Sequence, residues 1–359
     1  MYNLNRRLRK YNHEGGRSMN ELALFYPKGH EAHAEFGHPE RPERVDVLRN
    51  ALRDEGVWDE AHLLEPAPLS DELLKTVHHP AYLQHLEAAC QTGQRLDMDT
   101  YITPASWQLA LNAAGGAVSV ARSVWRGESR RGFALTRPPG HHATPSRGMG
   151  FCLLNNVAIA AEDLLSQEGA VRVAIVDFDL HHGNGTQDVF YKRDDVLYIS
   201  THQFPHYPGS GALTETGIGA GQGATANFPF PPMSGDRAFL AVLEEAILPI
   251  INSFRPEMIL VSYGFDTHWR DPLGSLTLSA AVYGELVAQL TAFADQSCDG
   301  KIALFLEGGY DLDAGAACTR CVVCAMLGQA CEDPLGPSPD TESNRWQLML
   351  QQAKTIWGL

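Results

Sequence analysis

The chain has 359 residues, and its 28 Lys and Arg residues stand against 43 Asp and Glu residues, which gives a formal net charge of −15. So acidic a chain is a poor candidate for a nucleic-acid-binding protein, because phosphate binding requires clustered cations. Hydrophobic residues make up 44% of the chain, enough for a large core, which argues against a disordered protein.

The N-terminus and the cysteines indicate the compartment. No apolar run is long enough for a transmembrane helix, and the basic N-terminus lacks the apolar centre of a secretory signal. The seven cysteines are an odd number, which does not suit a secreted disulfide framework. We therefore expect a cytoplasmic protein with one domain over 19–359. Residues 1–18 are expected to be an extension, either disordered or used as an arm in assembly.

Predicted strands and helices alternate along most of the chain. The strand runs are nearly continuously apolar, as in strands that are buried on both faces. Strands are predicted at 22–26, 133–136, 171–176, 196–201, 258–263 and 301–306, and helices at 42–55, 80–91, 105–125, 153–167, 236–252, 279–296, 311–328 and 342–357. This order predicts an α/β protein whose mostly parallel sheet is covered by helices on both sides. The Gly- and Pro-rich stretch 204–235 is expected to be a long functional loop.

Cys318, Cys321 and Cys324 form a C-x2-C-x2-C pattern, with Cys331 beyond it. An iron–sulfur site is one interpretation of this pattern. We favour a buried helix, because the cysteines recur every three residues on an Ala-rich segment. Cysteine is a small buried residue in most protein cores.

Polar clusters follow four of the predicted strands. They are RPPGHHA after 133–136, DFDLHHGNGTQ after 171–176, GFDTHWRDPLG after 258–263 and EGGYD after 301–306. Open α/β sheets bind ligands outside the carboxyl ends of their strands, so these clusters predict one site at one edge of the sheet.

Asp177, Asp179 and His181 alternate along an extended segment, so their side chains are expected to share a face. Asp179 and His181, with Asp266 from another strand end, would give a metal two carboxylates and one imidazole. Three such ligands leave a position open for water, as a catalytic zinc requires. The alternative is a polar cluster with a structural role only.

The adjacent His141 and His142 are the predicted acid–base pair, because one imidazole can accept a proton from water while the other supplies charge or orientation. Asp177 and Asn184 are predicted to fix their tautomers. Tyr310 follows two glycines that allow a sharp turn, and its phenol is a candidate oxyanion donor beside a metal.

Together with the early HPERPERV, these motifs resemble the zinc-dependent histone deacetylase family. The similarity is to its class II-like bacterial branch, the acetylpolyamine amidohydrolases and histone deacetylase-like amidohydrolases, and it spans about residues 22–328. It implies the three-layer α/β/α arginase–deacetylase fold, with a mostly parallel sheet of about eight strands. It also implies a single catalytic domain that hydrolyses an N-acyl amide and releases acetate and a free amine.

The resemblance assigns roles to individual residues. The implied ligands of one zinc ion are Asp179, His181 and Asp266. His142 is implied as the general base and acid, and Tyr310 as the residue that polarises the acyl carbonyl. His141 is implied as the electrostatic neighbour, bonded to Asp177. Asn184 would orient His142 without adding a negative charge.

The resemblance also implies a narrow acyl-lysine tunnel. Gly150 and Phe151 match one wall, and Tyr207 stands where the opposite wall usually has phenylalanine. Leu273 takes the position of a glutamate in a polyamine-selective eukaryotic relative, which favours an acyl-lysine substrate. Asp99 is either a rim residue that accepts hydrogen bonds from the substrate backbone or a turn residue of its loop.

Two structural sites for K⁺ or Na⁺ are implied as well. The implied ligand residues of the first are Asp177, Asp179, His181, Ser200 and Thr201. Those of the second, which would offer backbone oxygens, are Phe190, Arg193 and Val196.

Three alternatives stay open: a deacetylase of acetylated polyamines or other small amines, a catalytically silent acyl-lysine binder, and an arginase-type ureohydrolase. A two-manganese ureohydrolase would have a D-A-H-x-D run where this chain has D-F-D-L-H-H. The acidic surface attracts lysine-rich tails and polyamines alike. The expected partners are an acylated lysine protein or peptide, or an acetylated amine, and a second copy of the chain, but neither nucleic acid nor a membrane.

Overall fold

A nine-stranded sheet forms the centre of the computed structural model, which describes residues 11–12 and 18–359. Its strands are β1 (Tyr11–Asn12), β2 (Ser18–Phe25), β3 (His62–Leu64), β4 (Ser129–Ala134), β5 (Val173–Asp177), β6 (Val196–Gln203), β7 (Thr225–Phe230), β8 (Met258–Tyr263) and β9 (Ile302–Leu306). Strands β2 to β9 pair in parallel, whereas β1 is antiparallel to β2. The predicted sheet of about eight mostly parallel strands is confirmed.

The order of the strands brings the four polar clusters together. It runs β1-β2-β4-β9-β8-β5-β6-β7, and β3 pairs with β2 beside this path. The strands that the clusters follow, β4, β9, β8 and β5, are therefore consecutive in the middle of the sheet. Asp177 at the end of β5 is in register with Ser262 near the end of β8, so the loops after these strands leave the sheet side by side.

Helices cover both faces of the sheet. They are α1 (Glu43–Asp54), α2 (Asp71–Val77), α3 (Pro80–Thr92), α4 (Ser106–Trp125), α5 (Asn156–Ser166), α6 (Asn184–Phe190), α7 (Asp236–Val242), α8 (Leu248–Phe254), α9 (Ala280–Ser297), α10 (Leu312–Met326) and α11 (Trp346–Trp357). Ala174 and Val176 of β5 belong to the core under α9 and α10, whereas Val173 and Ile175 belong to the core under α4 and α5. Alternate residues of one strand thus enter opposite cores, which gives three layers.

The structure corrects the loop expected at 204–235. Strand β7 lies within this stretch and pairs with β6 at one edge of the sheet. Pro229 inside β7 and Pro231 after it weaken the strand pattern in the sequence. An edge strand tolerates proline because one side of its backbone has no strand to bond. The patterns also give no prediction for β3, α2 and α6, which have three, seven and seven residues.

Part of the predicted extension pairs with the sheet. Tyr11 and Asn12 pair with Met19 and Ser18. The other residues of the 1–18 prediction, 1–10 and 13–17, lie outside the described residues. Within the described part of the chain, no helix has the length and apolar character needed to span a membrane.

The C-x2-C-x2-C segment lies in α10. The helix begins after Asp311, whose side chain accepts a hydrogen bond of 2.8 Å from the Ala314 amide. Cys318, Cys321 and Cys324 are buried free thiols. The predicted buried helix is confirmed.

Candidate metal centre and active site

The loops after the four central strands carry the residues that are predicted to bind the metal and to catalyse the reaction. His141 and His142 follow β4, and Asp179 and His181 follow β5. Asp266 lies in the loop after β8, and Tyr310 lies in the loop after β9. All six residues are buried, and they lie at the same edge of the sheet.

Asp179, His181 and Asp266 each bring one ligand atom into a group whose members lie within 4.8 Å of one another. His181 Nδ1 lies 3.2 Å from Asp179 Oδ1 and 3.2 Å from Asp266 Oδ2. Within the described residues, Asp266 Oδ2 is buried and accepts no well-formed hydrogen bond. A cation would complete this arrangement, because a buried carboxylate oxygen needs a partner.

Backbone amides hold the two carboxylates in place. Gly308 N donates to Asp179 Oδ2 at 2.7 Å, and Leu180 N donates to Asp266 Oδ1 at 2.9 Å. A Cβ added at Gly308 would stand 2.1 Å from Asp266 Oδ2, so this position requires glycine. The second oxygen of each carboxylate is thereby directed at His181. Two carboxylates and one imidazole fit a zinc with three protein ligands and a fourth position for water.

The adjacent His141 and His142 have different hydrogen-bond partners, although their ring centroids are only 4.0 Å apart. His141 Nδ1 lies 3.0 Å from Asp177 Oδ2, and His142 Nδ1 lies 2.8 Å from Asn184 Oδ1. Both partner oxygens can only accept, so both Nδ1 atoms donate. In a neutral His142 the Nε2 atom is therefore the proton acceptor.

The electrostatic surroundings separate the two histidines further. Burial lowers the pKa of His141, but the carboxylates of Asp177 and Asp179 outweigh burial and raise its pKa well above the usual value. At His142, burial and the positive charge of His141 lower the pKa well below the usual value. A cationic His141 beside a neutral His142 suits one group that supplies charge and another that takes a proton.

A cavity of about 170 Å³ leads to these residues. It is lined by Asp99, His142, Gly150, Phe151, His181, Tyr207, Leu273 and Tyr310. The five residues predicted for the tunnel are all among them. The Tyr207 ring stands perpendicular to the His142 ring at 5.2 Å, and the Phe151 ring stands perpendicular to the Tyr310 ring at 5.8 Å. A narrow cavity between aromatic rings suits an extended alkyl chain.

The backbone at Gly150 and Phe151 brings this wall close to the histidines. Both residues have positive φ angles, 55° and 69°. A Cβ added at Gly150 would stand 2.4 Å from His142 Cδ2, so a larger residue would displace the imidazole. Two contacts fix Phe151. Its amide donates to Thr100 Oγ1 at 3.2 Å, and its ring packs edge-on against the His38 ring with 4.7 Å between the ring centroids.

Tyr310 is fixed by two residues for which the sequence motifs predict no role. Its ring lies 4.8 Å from the guanidinium carbon of Arg44, and its amide donates to Asp271 Oδ2 at 2.6 Å. The other oxygen of Asp271 accepts from Leu273 N at 2.9 Å. Asp271 thus joins the loop after β8 to the loop after β9.

Glu307 is a further buried carboxyl group without a predicted role. Its Oε2 accepts from the amides of Gly140 and His141 at 2.7 and 3.0 Å, and its Oε1 accepts from Ser262 Oγ at 3.0 Å. Burial raises its pKa to about 7. Glu307 opens the motif EGGYD, so the sequence draws attention to it. Two of these three partners are backbone amides, which motif spacing does not reveal.

An exposed rim surrounds the mouth of the cavity. The Asp99 carbonyl accepts from His38 Nε2 at 3.0 Å, which joins two rim segments. Met98 and Phe36 stand on these segments and are 89% and 106% exposed. Arg95 ties the segments a second time, because it donates to the Met98 carbonyl at 2.9 Å and pairs with the carboxylate that precedes Phe36.

The residues implied for the two monovalent cation sites lie near β6. Thr201 Oγ1 donates to the carbonyl of Asp177 at 3.1 Å, and Ser200 is in register with Asp177. Farther along the chain, the Arg193 amide donates to the Phe190 carbonyl at 3.0 Å, just before β6 begins at Val196. The residues implied for each cation site therefore lie near one another in the fold.

Comparison with protein families identifies the chain. The family model described as the histone deacetylase domain matches residues 38–326 of the chain. The chain belongs to the histone deacetylase family. The resemblance inferred from the sequence motifs is confirmed. The matching relatives are named as deacetylases and amidohydrolases.

Several relatives align with most of this chain. A probable deacetylase of Archaeoglobus fulgidus is 45% identical over 294 residues, which are 81% of this chain and 82% of the relative. The histone deacetylase-like amidohydrolase of Pseudomonas aeruginosa is 36% identical, over 84% of this chain and 80% of the relative. The crystal structure of the HDA15 HD domain, 33% identical, matches with a TM-score of 0.85 and covers 94% of this chain and 95% of that chain. The predicted arginase–deacetylase fold is confirmed.

Proposed function

We propose that the protein is a zinc-dependent amidohydrolase that removes acetyl or other short acyl groups from the ε-amine of lysine in proteins or peptides and releases acetate. The observation that carries this proposal is the cavity, whose lining joins an aromatic wall to His142, His181 and Tyr310. A cavity of about 170 Å³ has room for a slim linker rather than a bulky amine.

Asp179, His181 and Asp266 are the proposed zinc ligands. A zinc ion held there would supply a Lewis acid for the amide carbonyl and would increase the acidity of the attacking water. The donor set and the buried Asp266 oxygen that accepts no well-formed hydrogen bond support this assignment.

The side chains around the cavity perform the proton transfers. His142 Nε2 takes the proton of the attacking water, since Nδ1 is engaged with Asn184. His141, held by Asp177, supplies positive charge beside the developing oxyanion. The Tyr310 hydroxyl donates to that oxyanion. His142 then returns the proton to the leaving amine.

The rim and the gatekeeper position support a lysine side chain in a peptide over a free polyamine. Leu273 gives the cavity mouth an apolar side chain, which offers no charge to an ammonium group. Met98 and Phe36 are exposed apolar side chains on the segments that flank the mouth. Apolar residues that flank an acyl-lysine in a peptide can bury the Met98 and Phe36 side chains, whereas acetylputrescine is too small to bury them. Asp99 is proposed to accept hydrogen bonds from the peptide backbone.

We further propose that residues 19–359 form a single catalytic domain, located in the cytoplasm, and that this domain forms a homo-oligomer. The grouped residues near β6 are proposed to bind K⁺ or Na⁺ in two structural sites. Dependence of the unfolding midpoint on added K⁺ tests the last proposal, because a cation that binds the folded protein stabilises it.

The decisive experiment is a substrate panel on the zinc-loaded protein. It compares an acetyl-lysine peptide, the same peptide with longer acyl chains, and acetylputrescine, with acetate or acid release as the readout. We expect the peptide to have the highest kcat/KM. A higher kcat/KM for acetylputrescine would favour the polyamine alternative, and no turnover of any substrate would favour the silent binder.

Substitution Tyr310→Phe tests the role of the phenol. It removes one oxyanion donor, so we expect kcat to fall by about 10²–10³-fold. The zinc content, measured by mass spectrometry, should be unchanged because Tyr310 is not a proposed ligand. Full activity of this variant would contradict the assignment.

A further inference from the structure

Three thiols meet at the C-terminal end of α10, away from the site described above. Cys321 Sγ lies 2.7 Å from Cys331 Sγ, and the Cys324 thiol also hydrogen-bonds with Cys331. Cys321 belongs to α10, whereas Cys331 belongs to the segment that follows this helix. A small approach of the first two sulfur atoms would reach the S–S bond length of about 2.05 Å.

An open groove gives solvent access to this pair. It has a volume of about 350 Å³, lies between α9 and α10, and includes both Cys321 and Cys331 in its lining. Small residues make up much of the rest of the lining, namely Ala281, Gly284, Ala288 and Ala325. Cys331 is itself partly exposed. A small oxidant can therefore reach the sulfur atoms without rearrangement of the core.

The contact also distinguishes the two sulfur atoms. The hydrogen bond with Cys321 raises the pKa of Cys331 to about 12. Cys331 therefore keeps its proton at neutral pH, in contact with the Cys321 sulfur.

We propose that Cys321 and Cys331 are a reversible modification site, at which a hydroperoxide converts the two thiols into a disulfide. One of the two sulfur atoms attacks one peroxide oxygen, the O–O bond breaks, and that cysteine becomes a sulfenic acid while the other oxygen leaves as water or an alcohol. The second sulfur then attacks the sulfur of the sulfenic acid, and the S–O bond breaks with release of water. The thiols lose two electrons and two protons to the peroxide. A dithiol reductant reverses the reaction.

The disulfide would restrain a segment that supports the candidate metal centre. Asp333, two residues after Cys331, accepts a hydrogen bond of 3.1 Å from the first turn of α9 at Ala281 N. The Gly336 carbonyl accepts from Trp269 Nε1 at 3.1 Å, and Trp269 stands in the loop that carries Asp266. We therefore expect oxidation to raise the thermal unfolding midpoint, because the cross-link restricts the unfolded chain.

The positions of the cleavage sites allow a direct test on the full-length protein. The reduced protein is treated with hydrogen peroxide, its remaining thiols are blocked, and trypsin then releases 321–345 as one peptide between Arg320 and Arg345. Cyanogen bromide divides this peptide after Met326, between Cys324 and Cys331. We expect the two fragments to stay linked after peroxide and to separate after dithiothreitol.

Matched variants identify the partners. Cys324→Ser should keep the link, whereas Cys321→Ser and Cys331→Ser should each abolish it. The unfolding midpoint should rise on oxidation in the unsubstituted protein and stay constant in Cys331→Ser, whose far-ultraviolet circular dichroism verifies its fold. Separate fragments in the oxidised unsubstituted protein would overturn the proposal, as would a link that persists in Cys321→Ser. Neither result depends on deacetylase activity.

Discussion

At the residue scale, the candidate metal centre is defined by which carboxylate oxygens are already engaged. One oxygen of Asp179 and one of Asp266 accept backbone amides from another loop, and the second oxygen of each faces the His181 ring. The second oxygen of Asp179 also accepts the His181 amide at 2.9 Å. These amide hydrogen bonds orient the carboxylates before any ion binds. Because these hydrogen bonds orient the ligands in the absence of metal, we expect removal of one ligand side chain to lower metal affinity more than it lowers the stability of the fold.

Substitution Asp179→Ala tests this expectation. It removes a carboxylate that faces His181, so we expect the purified variant to lose its zinc together with its activity. Mass spectrometry of the metal content provides the measurement, and Tyr310→Phe is the matched control that should retain zinc. An Asp179→Ala protein that holds a full equivalent of zinc would refute the ligand assignment.

At the scale of elements, Asp271 couples the loop after β8 to the loop after β9, because its two oxygens accept the amides of Leu273 and Tyr310. In Asp271→Ala these hydrogen bonds are lost, and Tyr310 keeps only its contact with Arg44 of the two supports described above. Misplacement of a catalytic group by about 1 Å can reduce the rate 10²-fold, so we expect kcat to fall by about 10–10²-fold.

The control for Asp271→Ala is Asp313→Ala, which removes an exposed carboxylate from the first turn of α10. We expect the control to keep its activity, and both variants to keep their zinc. Equal kcat values for Asp271→Ala and the unsubstituted protein would show that Tyr310 does not need this support.

The rim segments make a separate prediction about substrate size. In a variant with both Phe36→Ala and Met98→Ala, we expect KM for a peptide with apolar residues beside the acetyl-lysine to rise several-fold. KM for acetylputrescine should not change, because this substrate does not reach the rim. Leu348→Ala, which removes an exposed side chain from α11, is the control. An equal change for both substrates would contradict the proposed rim contact.

The sequence predicts the elements at the centre of the sheet better than those at its edge. Strands such as β5 and β8 are continuous apolar runs because both faces are buried, so their patterns are unambiguous. Strand β7 is interrupted by Pro229, and only its pairing with β6 makes it a strand. Tertiary pairing, which a local pattern does not contain, therefore decides the edge.

The same limit separates the site residues that were predicted from those that were not. Asp179, His181 and Tyr310 belong to motifs whose side chains suggest chemistry. Asp271 and Glu307 act through backbone amides of residues elsewhere in the chain, such as Tyr310 and His141. Residue type and spacing carry no information about such contacts.

At the scale of the whole molecule, a buried ionic cluster joins the segment before α1 to the central strands. Glu40 Oε1 accepts from Arg137 Nε at 2.7 Å and from Arg44 Nη1 at 3.0 Å. Arg44 also donates to the carbonyls of Glu307 and Gly309, at 2.6 and 2.5 Å. Loss of one member would leave a buried charge unpaired, which commonly costs about 3–5 kcal/mol.

This cluster predicts how stability depends on pH. Burial raises the pKa of Glu40, but the charges of Arg137 and Arg44 outweigh burial and lower it from 4.5 to about 2. Because the pKa is lower in the folded state, the contribution is complete well above pH 4.5 and is lost as the pH falls toward 2. The loss between pH 5.5 and 4 should be roughly 1 kcal/mol.

Urea unfolding of the unsubstituted protein and of Glu40→Gln, at several pH values, provides the measurement. We expect Glu40→Gln to be less stable at neutral pH, and the difference in the free energy of unfolding to narrow as the pH falls. A difference that stays constant from pH 7 to pH 4 would contradict the shifted pKa of Glu40.

The order of strands in the sheet has a kinetic consequence. The candidate metal ligands follow β5 and β8, and the residues around them follow β4 and β9, so strands widely separated in the chain must pair before the site exists. Parallel pairing between distant segments is slow, because long loops must close before contacts form. Productive zinc uptake should therefore coincide with the last step of refolding, and the bound metal should serve as a reporter of complete sheet assembly.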